Sequence, residues 1–212
     1  MIMAAPELRG LTVADEPATW RALGFAVGDD GRATVGGIVL ELAGRAAERG
    51  ITAWSLSDVE PGTDLDGLPT RVAGEEPPPD GSEHPNGAVA IDHVVVTTPD
   101  VERTFAALRA ASLDLRRVRE AEGPEGLLRQ GFYRVGGALL EVAGPITPSG
   151  TGPAAFWGLV VVVADLDALA ARLGDDLGAP RDAVQPGRRI ATLRASAGAS
   201  VAVAFMTPRP AR

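Results

Sequence analysis

Residues 35–44, VGGIVLELAG, recur one hundred positions later as VGGALLEVAG at residues 135–144. Seven of the ten positions are identical, and the other three exchange one aliphatic residue for another. Exchanges of this kind are typical of a buried strand, in which side-chain volume matters more than identity. The sequence therefore predicts that the chain contains a duplicated structural unit.

Each copy of the repeat has the pattern of a strand that follows a tight turn. A Gly-Gly pair precedes alternating apolar residues, and one glutamate, Glu41 or Glu141, lies on the opposite face of the strand. A carboxylate that faces a closed interior needs a polar partner or a metal ion. The two glutamates are therefore candidate site residues.

The composition excludes several kinds of chemistry. The chain has no cysteine, so it supplies no thiol nucleophile, disulfide, zinc-thiolate site or iron-sulfur ligand. All 20 basic residues are arginine, which excludes Schiff-base catalysis and a phosphate-loop lysine. Abundant Ala, Gly, Arg and Pro without lysine indicates a GC-rich genome and a bacterial type of composition.

The charge and hydropathy of the chain bound its partners. A net charge of -8 argues against a nucleic-acid partner, because phosphate backbones require basic surfaces. The longest apolar run, residues 156–164, is shorter than the roughly 20 residues that span a bilayer. No export signal is visible at residues 1–10, so we expect a cytoplasmic protein without a membrane partner.

The pattern along the chain predicts repeated βαβββ units in an α+β fold. In residues 90–144 a strand precedes a helix that Asp100 caps, and three strand-like segments follow it. Residues 156–206 repeat this plan with Asp165 as the cap, and residues 7–44 contain a shortened version. Residues 50–69 suggest a degenerate fourth unit. We expect a reduced unit at 1–70, an exposed linker at 71–88 that includes His84, and a full domain at 89–208.

Paired units of this kind resemble the vicinal oxygen chelate superfamily, which contains glyoxalases, bleomycin-resistance proteins and extradiol dioxygenases. The resemblance is carried by IDHVVVTTPDVERTFAALRAA and LLEVAGP, and it covers residues 88–208 well and residues 7–68 loosely. It implies a cupped, mixed or antiparallel sheet around one divalent metal (Mn, Fe, Ni, Zn, Co or Mg), with ligands on the first and last strands of each unit. His93 and Glu141 match those positions in the second unit.

The sequence departs from the family pattern at other ligand positions. The third unit has Gly158 and Ala204 at the two places, and the first unit has Gly10 but keeps Glu41. If units one and two pair, Glu41 joins His93 and Glu141 as a possible metal ligand. If units two and three pair, only His93 and Glu141 meet, and the sequence leaves this choice open.

Other residues indicate a small-molecule ligand. Arg188 and Arg189 are candidates to clamp a carboxylate or phosphate, although a solvated turn also explains them. Gln130 is a candidate for the interior of the cup. We expect Val160, Val162 and Ala202 to line the cup, and this lining suits an apolar or aromatic ligand with one anionic group. Without a ligand or metal, Glu141 is expected to pair with Arg129 or Arg189, and His93 to be hydrogen-bonded.

Two functional hypotheses follow. The chain is a binding protein whose metal site is degenerate and whose cup holds an aromatic or anionic small molecule. Alternatively it is a divalent-metal-dependent lyase, isomerase or dioxygenase that uses His93 and Glu141, with Glu141 moving a proton. An uncovered sheet edge in the reduced unit makes a homodimer plausible.

Overall fold

The computed structural model describes residues 5–45, 48–74, 82–123 and 126–210. Within these ranges the chain forms a five-stranded sheet, an eight-stranded sheet and three short α-helices. Both sheets contain parallel and antiparallel neighbours, which confirms the expectation of an α+β fold built from mixed sheets.

The five-stranded sheet comes from the N-terminal third of the chain. Its strands are β1 (Glu7–Val13), β2 (Arg32–Val35), β3 (Ile38–Leu42), β4 (Ile51–Ser57) and β5 (Thr70–Val72). They lie in the order β2-β3-β1-β4-β5, and helix α1 (Pro17–Ala22) connects β1 to β2.

The eight-stranded sheet contains the rest of the described chain. Its strands are β6 (Ala88–Thr97), β7 (Asp114–Gly123), β8 (Gly126–Val135), β9 (Ala138–Pro145), β10 (Ala155–Val163), β11 (Arg181–Asp182), β12 (Arg189–Thr192) and β13 (Ala202–Met206). Their order is β11-β12-β13-β10-β6-β9-β8-β7. Helix α2 (Val101–Ala110) follows β6, and helix α3 (Leu166–Leu173) follows β10.

The strand pairing shows which units associate. In every unit the first strand pairs in parallel with the last, as in β1 with β3, β4 with β5, β6 with β9 and β10 with β13. The first strands then pair antiparallel, β6 with β10 and β1 with β4. The second unit therefore pairs with the third, and the first pairs with a fourth unit that consists of β4 and β5.

The helices begin where the sequence predicts. The Asp100 carboxylate accepts a hydrogen bond from the backbone N–H of Arg103 at 3.1 Å, and Asp165 caps α3 in the same way. Pro17 begins α1, where its missing N–H has no consequence. In the described part of the chain, every helix is too short or too polar to cross a bilayer.

The two sheets share one apolar core. The ring of Trp54 packs edge-on against Phe156 at 5.5 Å between centroids, which joins the five-stranded to the eight-stranded sheet. The buried Asp15 carboxylate adds a polar connection, because it accepts hydrogen bonds from the Trp20 indole at 3.1 Å and from the backbone N–H of Ser200. The reduced N-terminal sheet is thus packed against the larger sheet.

The segment before β6 is more ordered than its composition suggests. His84 is buried: its Nδ1 accepts from the backbone N–H of Ala26 at 3.0 Å, and its Nε2 lies 2.9 Å from the carbonyl of Thr34. The expectation of an exposed His84 is therefore wrong, because the imidazole satisfies backbone groups of the first unit. The Asn86 amide is also buried and donates to the carbonyl of Leu23. Residues 75–81 of the expected linker lie outside the described ranges.

A β-bulge interrupts the first strand of each unit. Apart from a further shift at Val89, the ladder between β6 and β10 skips one residue on each strand, and the ladder between β1 and β4 does the same. The skipped residues occupy equivalent places in the four units and are Arg9, Thr52, Asp92 and Trp157. Bulges redirect side chains, so the residue at this place escapes the strict alternation of the strand.

Close packing of α2 on β8 gives a test of the fold. A methyl group at Gly131 would lie 2.5 Å from the ring of Phe105, whereas a methyl group at Gly137 would meet nothing within 4 Å. We expect Gly131→Ala to lower the free energy of unfolding by about 1–3 kcal/mol, because the ring must move. Gly137→Ala is the matched control, and urea denaturation measures both. Equal stabilities for the two variants would contradict this packing.

Candidate functional site

The concave face of the eight-stranded sheet carries the two residues that the family pattern singles out. In the parallel ladder between β6 and β9, His93 is opposite Leu139 and Val95 is opposite Glu141. The side chains of His93 and Glu141 remain 12% and 14% exposed, while the alternate residues of both strands are buried in the core. Their nearest atoms, His93 Nε2 and Glu141 Oε2, are 3.7 Å apart.

The bulge in β6 adds Asp92 to this site. Consecutive residues of a regular strand face opposite sides of the sheet, but here Asp92 Oδ2 lies 2.8 Å from His93 Nδ1. The other carboxylate oxygen accepts a 2.7 Å hydrogen bond from Arg188, whose Nε donates to the carbonyl of Thr207. Asp92 and Arg188 are both buried, so they form an internal ion pair between the second and third units.

The environment of Asp92 fixes its charge. Burial by itself raises the pKa of Asp92, but the hydrogen bonds from His93 and Arg188 and the positive charge of Arg188 outweigh it and lower the pKa to about 2. A carboxylate accepts hydrogen bonds and cannot donate them. His93 therefore donates from Nδ1, and its Nε2 lies on the side of Glu141.

A second chain of hydrogen bonds holds Glu141. The Gln130 amide donates to Glu141 Oε1 at 2.6 Å, and Arg119 Nε donates to the Gln130 oxygen at 2.7 Å. The Arg119 guanidinium also lies over the ring of Phe132, 5.2 Å from its centroid. These contacts orient the carboxylate from the side away from His93.

These residues surround a cavity of about 660 Å³. Its lining includes two carboxylates, Asp92 and Glu141, and apolar side chains such as Phe132 and Leu139. Five arginines also line it, namely Arg116, Arg117, Arg119, Arg188 and Arg209. The cavity is thus positively charged, although the chain as a whole carries a net charge of -8.

The structure places the sequence-derived candidates in different surroundings. Glu141 and Arg188 line this cavity, whereas His93 and Gln130 do not line it but contact its lining residues Asp92 and Glu141. Arg189 lies outside it and pairs with Asp167 at 2.7 Å on the surface. Neither Arg189 nor Arg129 contacts Glu141 in the described structure, since Arg129 pairs with Glu102 and Glu120.

Glu41 lies on the other sheet. Arg71 donates to its carboxylate at 3.0 Å, and the Thr12 hydroxyl donates to it at 3.1 Å. The strand register shows which residues of the reduced sheet correspond to Glu141. Glu41 is opposite Thr12 on β1, as Glu141 is opposite Val95 on β6. Arg71 has the same place in the fourth unit, where it is opposite Ser55 on β4. In the reduced sheet, two positions that correspond to metal ligands in the family thus hold an ion pair.

Sequence reasoning missed Asp92 and the arginines of β7. Asp92 precedes His93 directly, so strand alternation assigns it to the opposite face, and the bulge has no signature in the residue types. A signal for Arg117 and Arg119 was present, because residues two apart on a strand share a face. Arg209 follows the last strand, where no pattern predicts its direction.

The donor groups at this site are too few for a divalent metal. In the third unit Ala204 is opposite Val160, as Glu141 is opposite Val95 in the second unit. Ala204 therefore corresponds to Glu141, and Gly158, two residues before Val160, corresponds to His93. A methyl group at Gly158 would lie 2.5 Å from the carbonyl oxygen of Ala202, which leaves no room for a side chain. Among the described residues no group of three or more His, Cys, Asp or Glu could hold a metal ion. The site therefore does not fit an ion bound by three or four protein ligands.

Paired βαβββ units, a cupped sheet and site residues on the first and last strands define a fold of the vicinal oxygen chelate type. The chain belongs to the Glyoxalase/Bleomycin resistance protein/Dioxygenase superfamily, whose family model matches residues 90–196. The resemblance inferred from the sequence is thereby confirmed. A comparison with curated proteins finds no match for this sequence.

Solved structures share the fold at low sequence identity. A variant of 4-hydroxymandelate synthase from Streptomyces coelicolor is 13% identical, with a TM-score of 0.65 over 97% of this chain and 93% of that chain. Methylmalonyl-CoA epimerase from Mycobacterium tuberculosis is 20% identical, with a TM-score of 0.45 over 58% of this chain and 91% of its own. A Streptomyces coelicolor methylmalonyl-CoA epimerase variant in complex with 2-nitronate-propionyl-CoA is 19% identical, with a TM-score of 0.46 over 59% and 98%.

The buried pair gives a prediction about stability. Asp92→Asn removes the charge that Arg188 needs in the interior, so we expect a loss of about 3–5 kcal/mol in the free energy of unfolding at pH 7. Asp167→Asn breaks the exposed pair with Arg189 and should change stability little. Urea denaturation of the two variants measures the difference, and equal effects would contradict a structural role for the buried pair.

The same pair predicts a pH dependence. The pKa of Asp92 in the folded chain, about 2, is below that of an unfolded aspartate, so its ionisation stabilises the fold. This contribution is complete above about pH 4 and is lost as the pH falls towards 2. Urea midpoints between pH 5 and pH 2.5 should therefore fall more steeply for the wild type than for Asp92→Asn. Parallel curves would contradict the lowered pKa.

Proposed function

We propose that this chain binds a small organic anion in the cup of the eight-stranded sheet, without a metal ion held by three or more protein ligands. One observation carries the proposal: five arginines line a cavity that contains two carboxylates. An excess of positive charge in a concave site attracts anions and raises their local concentration. The chain is acidic overall, so this local excess is opposite in sign to the net charge of the chain.

The arginines differ in their availability to a ligand. Arg188 is committed to Asp92 and to the carbonyl of Thr207, and Arg119 is partly committed to Gln130. Arg117 and Arg209 are exposed and have no ion-pair partner within the described ranges. A planar guanidinium matches the two oxygens of a carboxylate or the oxygens of a phosphate. We therefore assign anion binding first to Arg117 and Arg209.

Apolar surface in the cavity favours a ligand with a carbon framework. Phe132 and Leu139 lie between the charged groups, and Val184, which is 75% exposed, lies on the rim beside Pro186. Small-molecule sites combine such apolar walls with a few polar groups that fix orientation. An aromatic or branched carboxylate suits this combination better than an inorganic anion.

Glu141 in the cavity and His93 beside it have acid-base capacity. His93 donates from Nδ1 to Asp92, which leaves Nε2 able to accept a hydrogen bond, and Glu141 presents a carboxylate 3.7 Å away. These two atoms suit a hydroxyl or amine donor on the ligand. They are also placed to accept a proton from a bound substrate, so turnover by proton transfer is compatible with the same binding mode.

The second candidate function is a metal-dependent lyase, isomerase or dioxygenase that uses His93 and Glu141. The observation in its favour is the hydrogen bond from His93 Nδ1 to Asp92, because metal-binding histidines commonly orient their second nitrogen in this way. With two protein donors, such an ion would depend on water and the substrate for its other ligands. This arrangement would bind metal weakly.

Ligand binding tests the proposal directly. We expect benzoate and phenylacetate to bind, and their uncharged amides to bind at least about tenfold more weakly, because the amides cannot pair with arginine. The double variant Arg117→Gln/Arg209→Gln should weaken benzoate binding, whereas Arg189→Gln, which alters an arginine outside the cavity, should not. Isothermal titration calorimetry measures the affinities. Equal affinity for acids and amides would contradict an anion site.

Metal content separates the two candidate functions. Mn, Fe, Ni, Co, Zn or Mg is offered singly to the purified protein, and the excess is removed by dialysis. We expect far less than one equivalent of each metal to remain bound, because His93 and Glu141 are the two donors available. His93→Ala should give the same result by elemental analysis. Near-stoichiometric metal in the wild type that is lost in His93→Ala would support the second candidate instead.

A further inference from the structure

The cavity is closed by residues from the two opposite ends of the eight-stranded sheet. Strand β7 is one edge of the sheet, and strand β11 is the other. Arg117 and Arg119 come from β7, whereas Val184 and Arg188 come from the segment that joins β11 to β12, and all four line the same cavity. The sheet therefore curls until its ends face a common space.

Both ends bring positive charge to this space. Arg117 and Arg119 share one face of β7, because they are two residues apart. On the other side, Arg188 precedes β12 and Arg209 follows β13. The cavity thus has two cationic groups on separate pieces of the chain instead of one cluster.

Arg188 has an unused donor at this second group. Its side chain is almost completely buried, and its Nη2 has no hydrogen-bond partner among the described residues. A buried N–H without an acceptor costs free energy comparable to a lost hydrogen bond. This unpaired N–H leaves part of the Arg188 positive charge uncompensated on the side of the cavity that Arg209 also lines.

The floor between the two cationic groups does not favour an anion. Leu139 and Phe132 are apolar, and Glu141 is a carboxylate that would repel a second carboxylate placed over it. A ligand with a single anionic group can use only one of the two ends. A ligand with an anionic group at each end of a carbon segment satisfies both ends and keeps its charges away from Glu141.

We propose that the cup is specific for dianions in which an apolar segment separates two carboxylate or phosphate groups, and that such a ligand bridges the two ends of the sheet. This inference rests on the proposed function, since it names the class of anion that the same cavity binds. The β7 end holds one group through Arg117 and Arg119. The opposite end holds the other through Arg209, and the buried guanidinium of Arg188 adds positive charge to that end.

The test compares each diacid with its own monomethyl ester, which has nearly the same size but one charge. Aliphatic diacids of increasing length and terephthalate are titrated beside their monoesters, and phosphonocarboxylates of matching length distinguish phosphate from carboxylate recognition. We expect at least one diacid or phosphonocarboxylate to bind the wild type about tenfold or more tightly than its singly charged counterpart.

Two single variants and their combination locate the two groups. Arg117→Gln and Arg209→Gln should each weaken binding of the preferred dianion about tenfold. Either change alone should alter the affinity for the monoester by less than about threefold, because a monoanion can use the remaining end. The double variant should weaken binding of both. Arg189→Gln is the control outside the cavity and should leave all affinities unchanged.

The outcomes separate this inference from the proposed function. If every dianion binds within about threefold of its monoester, the two-ended site is contradicted while anion binding stands. If Arg209→Gln has no effect on the preferred dianion, the second end is likewise contradicted. If no anion binds at all, both the inference and the proposed function fail.

Discussion

The antiparallel pairing of β6 with β10, together with the bulge at Asp92, is the constraint on which the site depends. The pairing joins the second and third units into one sheet and brings the third unit's Arg188 beside the second unit's first strand. The bulge turns Asp92 onto the face of His93, so that one buried carboxylate contacts both an arginine and an imidazole. Without it, strand alternation would separate these groups, and the cavity would lose both its ion pair and the orientation of His93.

The four units show how a repeated architecture keeps its backbone while its chemistry changes. Every first strand retains a bulge at the same place, yet the residue there is different in each unit. At the positions that the family uses for metal ligands, the reduced sheet holds the pair Glu41–Arg71, and the third unit holds Gly158, which has no space for a side chain. Only His93 and Glu141 remain as donors in the larger sheet. The arginines around them give the cup a different kind of polar recognition.

Much of the fold could be predicted from local pattern, because the repeat, the alternation of the strands and the helix caps at Asp100 and Asp165 are all short-range signals. The pairing of units could not, since both alternatives bury similar strands and the choice depends on long-range packing. Of the candidate site, the proximity of His93 and Glu141 was predicted, but Asp92 was missed because a bulge leaves no trace in residue types. The burial of His84 was missed for a related reason, since its partners are backbone groups distant in sequence.

The central claim is that the cup recognises an anion with arginine and does not require a protein-bound metal. The most direct measurement is the affinity of one bound aromatic acid, determined by calorimetry in the presence of a chelator and again with each divalent ion added in excess. The structure predicts the same affinity under all conditions and an affinity that decreases in the Arg117→Gln/Arg209→Gln double variant. Binding that is absent with chelator and restored by one metal ion would contradict the claim and would assign His93 and Glu141 to a metal centre.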